Sequence, residues 1–531
     1  MRYMKYRLMA ILRIVLALVI AMSLLTCTSR NREPGYAYFR LEANPTTLDP
    51  ALIVDVDGGA IAAKLFNGLV RLGDDMGIAP DIALSWVVSE NALRYLFNLR
   101  SGVRFSSGRK VTAIDFKYSF ERVLDPETRS PNTWIFDKVL GAREYMDGEA
   151  DEVEGIRVVD DHTIEIRLSK PFSPFLGLLT MPAAYVVPLE EVLHQGKDFS
   201  SHPVGTGPYK LSEWLPNRHL RLERSLDYFS EPAKVPGIVY RVIPEELTAV
   251  TEFEIGNLDV LTIPTSAFER YMGSKKWKNL VSSIKGTNTY YIGLNSERPP
   301  FNDPELRRAM NYAIDRARIL DTLYEGKGRL SSGPVPDILR QWQAPEGYAY
   351  DPDKAREIIS ANKSLKDRRI KFFIAAGYQI SVDIAEVAQS YLADVGLKVE
   401  IQQLEWSAFK EAVNNGEADM FWLSWWADYP DPENFLFPLF HSKNIGPAGN
   451  RARYKNPEID KLIELGQHAP DLEQRNKWYS EAEEMIVSDA PWVFFWHRTD
   501  YVVRQPWVED YKIFPVYSME KGLEISLKGN I

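Results

Sequence analysis

KFFIAAGYQISVDIAEVAQSYLADVGLKVEI, residues 371–401, decides the fold class. KFFIAA, 371–376, is a continuous apolar run and reads as a strand. Ile384, Val387, Ala388, Tyr391, Leu392 and Val395 then recur at three- and four-residue spacing. That spacing predicts a helix over 381–395 with one buried face, and Gly396 ends it. LKVEI, 397–401, is a second strand. Strand, helix, strand is a βαβ unit, whose two strands run parallel. Further along, DMFWLSWW, 419–426, is another continuous apolar run, the pattern of a strand buried on both faces of a parallel sheet. It leads into SWWADYPDPENF, 424–435. That loop lies beyond the carboxyl end of the strand, where open α/β sheets bind ligands. Asp428 is therefore a candidate for ligand contact. The competing role is capping of loop backbone, common for Asp beside proline-rich turns.

Other segments extend the mixed α/β reading. YLFNL (95–99), HTIEIRL (162–168) and RHLRLER (218–224) alternate like half-buried strands, and Asp160 and Asp161 are placed for a hairpin turn. In FNDPELRRAMNYAIDRARILDTLYEG, Asp303 is the expected N-cap and Pro304 the first helical residue. Leu306, Ala309, Met310, Ala313, Ile314 and Ala317 hold one helical face as far as a stop at Gly326. No period of 20–50 residues repeats, which excludes solenoids and propellers.

At 531 residues the chain is too long for one core, so two or three domains are expected. It has 13 Trp, 26 Tyr and 24 Phe, residue types that favour apolar clefts and cores. Its net charge of −10 and the lack of a long basic run argue against a nucleic-acid partner. The first 27 residues differ in kind. A basic MRYMKYR precedes the apolar run IVLALVIAMSLL, 14–25, which is shorter than the roughly 20 residues that span a bilayer. This is the pattern of an export signal. Cys27, the sole cysteine, follows directly, as at the lipobox of bacterial lipoproteins, although Thr26 stands where Gly, Ala or Ser is usual. Cys27 is thus the expected lipid-attachment residue. Cleavage there removes Arg2, Lys5, Arg7 and Arg13 and takes the net charge from −10 to −14. No internal disulfide is possible with one thiol.

Positive signs of catalysis are missing from the sequence. The seven histidines include no HExxH, one cysteine allows no CxxC, and neither GxSxG nor GxxxxGK[ST] occurs. GTGP, 205–208, lacks the helix start that a phosphate cradle needs. The expectation is a protein that is not an enzyme, with no metal and no cofactor.

Several blocks, in order, resemble the extracytoplasmic solute-binding proteins of oligopeptide and dipeptide ABC importers, family 5 of the periplasmic binding proteins. They are LDP (48–50), LFNGLV (65–70), NALRYLFNLRSGVRFSSGRKVTAIDFKYSFERVLDP (91–126), VVDDHTIEIRLSKPF (158–172), VGTGPYKLSEW (204–214), LRLERSLDYF (220–229), FNDPELRRAMNYAIDR (301–316), WADYPDPENF (426–435) and YKNPEIDKLI (454–463). The resemblance implies an α/β, two-lobed periplasmic-binding-protein fold with three domains and two hinge crossovers. After a signal at 1–27, domain I is expected from 28–66, 201–286 and 491–531, domain II from 67–200 and domain III from 287–490. TNTYYIGLN (287–295) and APWVFFWHRTD (490–500) look like the crossovers, about which the lobes close over ligand.

The same resemblance implies that Asp428 pairs with a peptide's α-ammonium and that Trp425 lines that pocket. Tyr290 and Tyr291, on a crossover, are further candidates for the cleft wall. Short-peptide members often oppose the aspartate with a basic residue. The corresponding stretches here, FFIAAGYQI and AVNNGEADMFWLSW, contain none, which leaves Arg451, Arg453 and Lys455 as loose candidates for a carboxylate. The implied protein is a monomer in the periplasm or on the outer face of the cell membrane, held by its lipid. Its implied partners are a peptide ligand and the permease and ATPase subunits of an importer. Alternatives are the same role with an oligosaccharide or metal chelate, a surface glycosidase or peptidase, and a receptor that signals without transport.

Overall fold

The computed structural model describes residues 32–529 apart from 363–364, 366–367 and 470; the export segment and Cys27 lie outside the described residues. The strand–helix–strand unit forms as its periodicity demands. Arg369–Ala375 and Lys398–Leu404 pair in parallel, with Phe372 opposite Ile401. Helix Gln379–Asp394 joins them and buries Ile384, Ala388 and Leu392. Gly396 then takes a φ of 94°, a left-handed geometry that costs a side-chain-bearing residue.

Met420–Trp426 lies parallel to Arg369–Ala375 on one side, but its other neighbour, Asn288–Leu294, is antiparallel. The sheet expected to be parallel is therefore mixed at this strand. Burial also falls along it. Met420, Phe421 and Trp422 are buried, whereas Trp426 is 46% exposed. The strand starts inside the core and ends at open space.

The 13-residue strand Trp492–Arg504 ties the lobes together. Its first part pairs with Asn288–Leu294, Val493 opposite Ile292. Its last part pairs with Val281–Lys285 and Val260–Thr262. The two segments read as crossovers thus lie side by side in one sheet. The other lobe carries two four-stranded sheets. One runs Ala37–Leu41, Gly237–Val242, His219–Arg224, Tyr209–Leu215; the other runs Ala83–Val88, Arg94–Leu99, Thr163–Arg167, Ile156–Asp160. The turn between the last two strands of the second sheet is the expected hairpin, with the Asp160 carboxylate accepting from the His162 N–H at 2.8 Å. Helix Ala113–Leu124 packs Phe116 and Phe120 into the same core as Phe97, Ile164 and Ile166.

Two expectations meet a physical reason. The predicted helix over 304–326 breaks into Pro304–Ala313 and Arg316–Leu323. Asp303 caps the first helix as expected, accepting from Glu305 N at 3.0 Å. Asp315 caps the second, accepting from Arg318 N at 3.0 Å, while Ile314 turns extended. The glycines of GTGP are structural. A side chain at Gly205 or Gly207 would collide with the backbone carbonyls of Leu65 and Lys64, so the two chains approach at a distance only glycine allows.

The lobes touch at one side. Ser173 N donates to Gln467 O at 2.8 Å. The Tyr429 ring sits in the core cluster of the opposite lobe, 6.2 Å from Trp134. No described helix is long and apolar enough to cross a membrane.

Candidate functional site

The loop after Met420–Trp426 is held by one side chain that the sequence reading passed over, Asn434. Its Oδ1 accepts from both Trp425 Nε1 and the Asp428 backbone N–H, each at 3.1 Å, and its Nδ2 donates to Asp428 Oδ2 at 3.3 Å. Asn434 is buried in the first turn of helix Glu433–Phe440, whose start is set by Asp431 accepting from Glu433 N at 2.8 Å. Trp425 and Asp428 are thus fixed relative to each other through one amide. Trp425 is half-buried against the core behind it.

Asp428 keeps solvent-exposed surface, yet its carboxyl pKa is raised, with burial the first cause. Both hold for a group at the bottom of a cleft, open to water but ringed by protein. The Asn434 hydrogen bond acts the other way, and no charged neighbour contributes. A carboxylate with reduced solvation and no cation beside it favours a ligand that brings one.

Directly beneath the loop lies a second, fully buried acid. Glu433 accepts from the Tyr429 hydroxyl and from Gln467 Nε2 at 2.5 Å, and burial pushes its carboxyl pKa up to about 7. Arg475 pairs with Asp431 alongside.

The two tyrosines of the crossover part company, because successive residues of a strand point to opposite faces. Tyr290 is half-buried among Trp422, Tyr324 and Trp496. Tyr291 is 1% exposed and stacked on Trp492, ring centroids 3.5 Å apart. Its place is the core, so the expectation that it lines the cleft is corrected. Trp422 is core as well, packed edge-on to Phe495 and Trp496. The loose carboxylate candidates are committed elsewhere. Arg453 and Lys455 both pair with Glu297, and Arg451 donates to Asn414.

A cavity of about 270 Å³ opens between strand Trp492–Arg504 and the C-terminal segment, lined by Arg498, Asp500, Tyr511, Phe514 and Tyr517 among others. Tyr517 is close enough to feel Asp428: its hydroxyl pKa is pushed up to about 12, mainly by burial and next by the Asp428 charge. Trp426 packs beside Arg498, whose guanidinium lies 5.7 Å from its ring centroid. Arg498 and Tyr517 were also missed in the sequence. Nothing local marks either one: burial along Trp492–Arg504 does not alternate around Arg498, whose place is set by packing beside Trp426, distant in sequence.

His497 is buried, its Nδ1 lies 2.9 Å from Asn288 O, and burial lowers its pKa to about 3, so it stays neutral. Among the described residues no three His, Cys, Asp or Glu gather as metal ligands.

The chain is similar to known proteins over most of its length. Heme-binding protein A of Haemophilus influenzae is 29% identical over 88% of this chain and 88% of its own length. Probable di/tripeptide-binding protein 5 of Pseudomonas aeruginosa is 28% identical over 86% of this chain and 89% of its own. Among solved structures, the periplasmic binding protein DppA from Helicobacter pylori, in complex with the peptide STSA, matches with a TM-score of 0.77 and 26% identity over 93% of this chain and 98% of that one. HbpA2 from Haemophilus parasuis matches with a TM-score of 0.81 and 25% identity over 93% of this chain and all of its own. The family description "Bacterial extracellular solute-binding proteins, family 5 Middle" matches residues 77–447. With its two-lobed α/β fold and a cleft at the mouth of its mixed sheet, the chain belongs to the family 5 bacterial extracellular solute-binding proteins.

Proposed function

We propose that this protein captures peptides in the cleft between its lobes and hands them to a membrane ABC importer. The observation that carries the reading is Asp428, an accessible carboxylate in a poorly solvated position with no charged neighbour acting on it. A peptide's α-ammonium supplies the missing charge and up to three N–H donors. Relatives whose names or titles mention peptides support this choice of ligand. Trp425, tied to the same asparagine as Asp428, forms the adjoining wall, whereas Tyr290, opposite Ser424 in the register, lies on the other face of the same strand pair. Most of the ligand's remaining affinity comes from its backbone, laid extended along the cleft.

The reading carries its setting with it. Cys27 is the lipid-attachment residue, the protein works as a monomer outside the cell membrane, and it binds without turnover. The division of the chain at about 67, 200, 286 and 490 into three domains belongs to the same proposal. The test is native mass spectrometry on the soluble form that starts after Cys27, purified gently from cells. Bound masses that fragment as peptide series support the proposal. Hexose ladders or a metal chelate in their place overturn it.

A further inference from the structure

The loop after Met420–Trp426 uses its side chains in two adjacent pairs. Asp428 is held by Asn434, and Tyr429, the next residue, is held by Glu433. The second pair reaches the other lobe. The Tyr429 ring is 4% exposed and shares a core cluster with Phe175 and Leu178 of the opposite lobe, where it meets Trp134 and Gly177. A second contact lies alongside. Ser173 of the opposite lobe donates its N–H to Gln467 O at 2.8 Å and its hydroxyl to Gly466 O at 3.2 Å. Gln467 in turn donates from Nε2 to Glu433 Oε1 at 2.5 Å, while the Tyr429 hydroxyl donates to Glu433 Oε2. Two residues that touch the opposite lobe therefore both end on one carboxyl group.

The surroundings of Glu433 are otherwise those of its own lobe. Asp431, in the same loop, opposes its ionisation, and Arg475 of helix Leu472–Asp489 favours it while being paired with Asp431. Tyr479, on that helix, is buried and close enough to feel the Glu433 charge. Helix Pro457–His468 presents the Gln467 amide, and the neighbouring His468 is exposed. Trp134 and Gly177, which cover Tyr429 from the opposite lobe, carry no charge. The acid is thus roofed by a ring that the opposite lobe pins down. When the lobes part, that ring loses its cover and water can reach the carboxyl group, which favours the ionised form.

We propose that Glu433, Tyr429 and Gln467 form a proton-operated latch between the lobes, which holds them together when Glu433 carries its proton and lets them part when it ionises. This rests on the two-lobed capture reading but not on the ligand being a peptide. Burial raises the Glu433 carboxyl to about pH 7 in this closed arrangement. Its contribution to closure is therefore fully present in acid and is lost as pH rises through about 7. An extracytoplasmic protein meets the pH of its surroundings, so capture becomes tighter in acid and release easier in alkali.

The test needs no ligand. The soluble form that starts after Cys27 contains no thiol, so two introduced cysteines can be spin-labelled without background. Lys170→Cys and Lys461→Cys, both at exposed positions, flank the latch on opposite lobes. Electron–electron double resonance on ligand-free protein then gives the ratio of closed to open molecules. That ratio should fall by at least about fivefold between pH 5.5 and pH 8, the low end of coupling between linked sites. In Glu433→Gln it should stop changing with pH. Tyr429→Phe keeps the ring and removes a donor that favours the ionised acid, so the midpoint should move to higher pH. A merely structural tyrosine would change the ratio without moving the midpoint. A ratio that does not change with pH in the wild-type protein overturns the proposal, whatever the variants do. A change that persists in Glu433→Gln overturns it as well. Neither result bears on Asp428 or on the class of ligand.

Discussion

Glu433 provides a prediction with a sign and a size. The side chain is buried, accepts from Tyr429 and Gln467, and has its carboxyl pKa pushed up to about 7, burial being the first cause. In the unfolded chain a glutamate titrates near 4.3. Between those two values the folded protein holds a proton that the unfolded chain has lost. Folding stability from this group is therefore fully present below about pH 4.3, declines as pH rises, and is lost above about pH 7. A separation of about 2.7 units corresponds to about 3.5 kcal/mol. Glu433→Gln keeps the shape and cannot titrate. The assay is urea denaturation of wild type and variant at pH 5 and pH 8. Taking the difference between the two proteins cancels every other titrating group. The variant should gain on the wild type by about 2–3 kcal/mol between pH 5 and pH 8, most of the full span. A difference that stays constant across that range would refute the reasoning, because Glu433 would then be titrating like an exposed acid. The group lies under Tyr429, whose ring packs into the opposite lobe, so its ionisation should also loosen lobe contact.

Further expectations follow from the loop and the glycines. Asn434→Ala leaves the Trp425 indole N–H and the Asp428 N–H without their acceptor, which should cost about 1–3 kcal/mol in thermal or urea unfolding and weaken peptide binding as the Asp428 carboxylate loses its anchor. Gly207→Ala places a methyl against the Lys64 carbonyl, and backbone cannot give way as a flexible side chain can. That variant should lose at least about 3 kcal/mol or fail to accumulate as soluble protein, whereas Gly148→Ala, with open space around it but a φ of 74°, should lose only about 1 kcal/mol.

What could be read from sequence was local. The strand–helix–strand unit was legible because its apolar spacing, its buried face and Gly396 all fall within some thirty consecutive residues. The split at Asp315 was hidden because Ile314 and Ala317 continue the apolar spacing across the break, while the cap that makes the break is a single carboxylate. The direction of the strands beside Met420–Trp426 depends on segments more than a hundred residues away, and a strand's own residues do not encode it. The site divides the same way. Asp428 and Trp425 stood out as an acid and an aromatic at a strand end. Tyr291 went to the core because its neighbour took the other face. Arg498 became visible only when Trp426, distant in sequence, was packed beside it. Asn434 sits within the matched block 426–435, but a polar residue in a first helical turn gives no sign of what it holds.

The central claim is that Asp428 binds a free α-ammonium. Isothermal titration calorimetry with a peptide recovered from the protein, synthesised with a free or an acetylated amine, tests it most directly. Wild type and Asp428→Asn are each titrated with both forms. Acetylation should weaken binding to the wild type by about 30-fold or more, as expected when one partner of a desolvated charge pair is removed. It should change binding to Asp428→Asn by less than about threefold, since the partner is already gone. An equal penalty in the two proteins, or none in the wild type, would contradict the account and leave Asp428 as a cap for its loop.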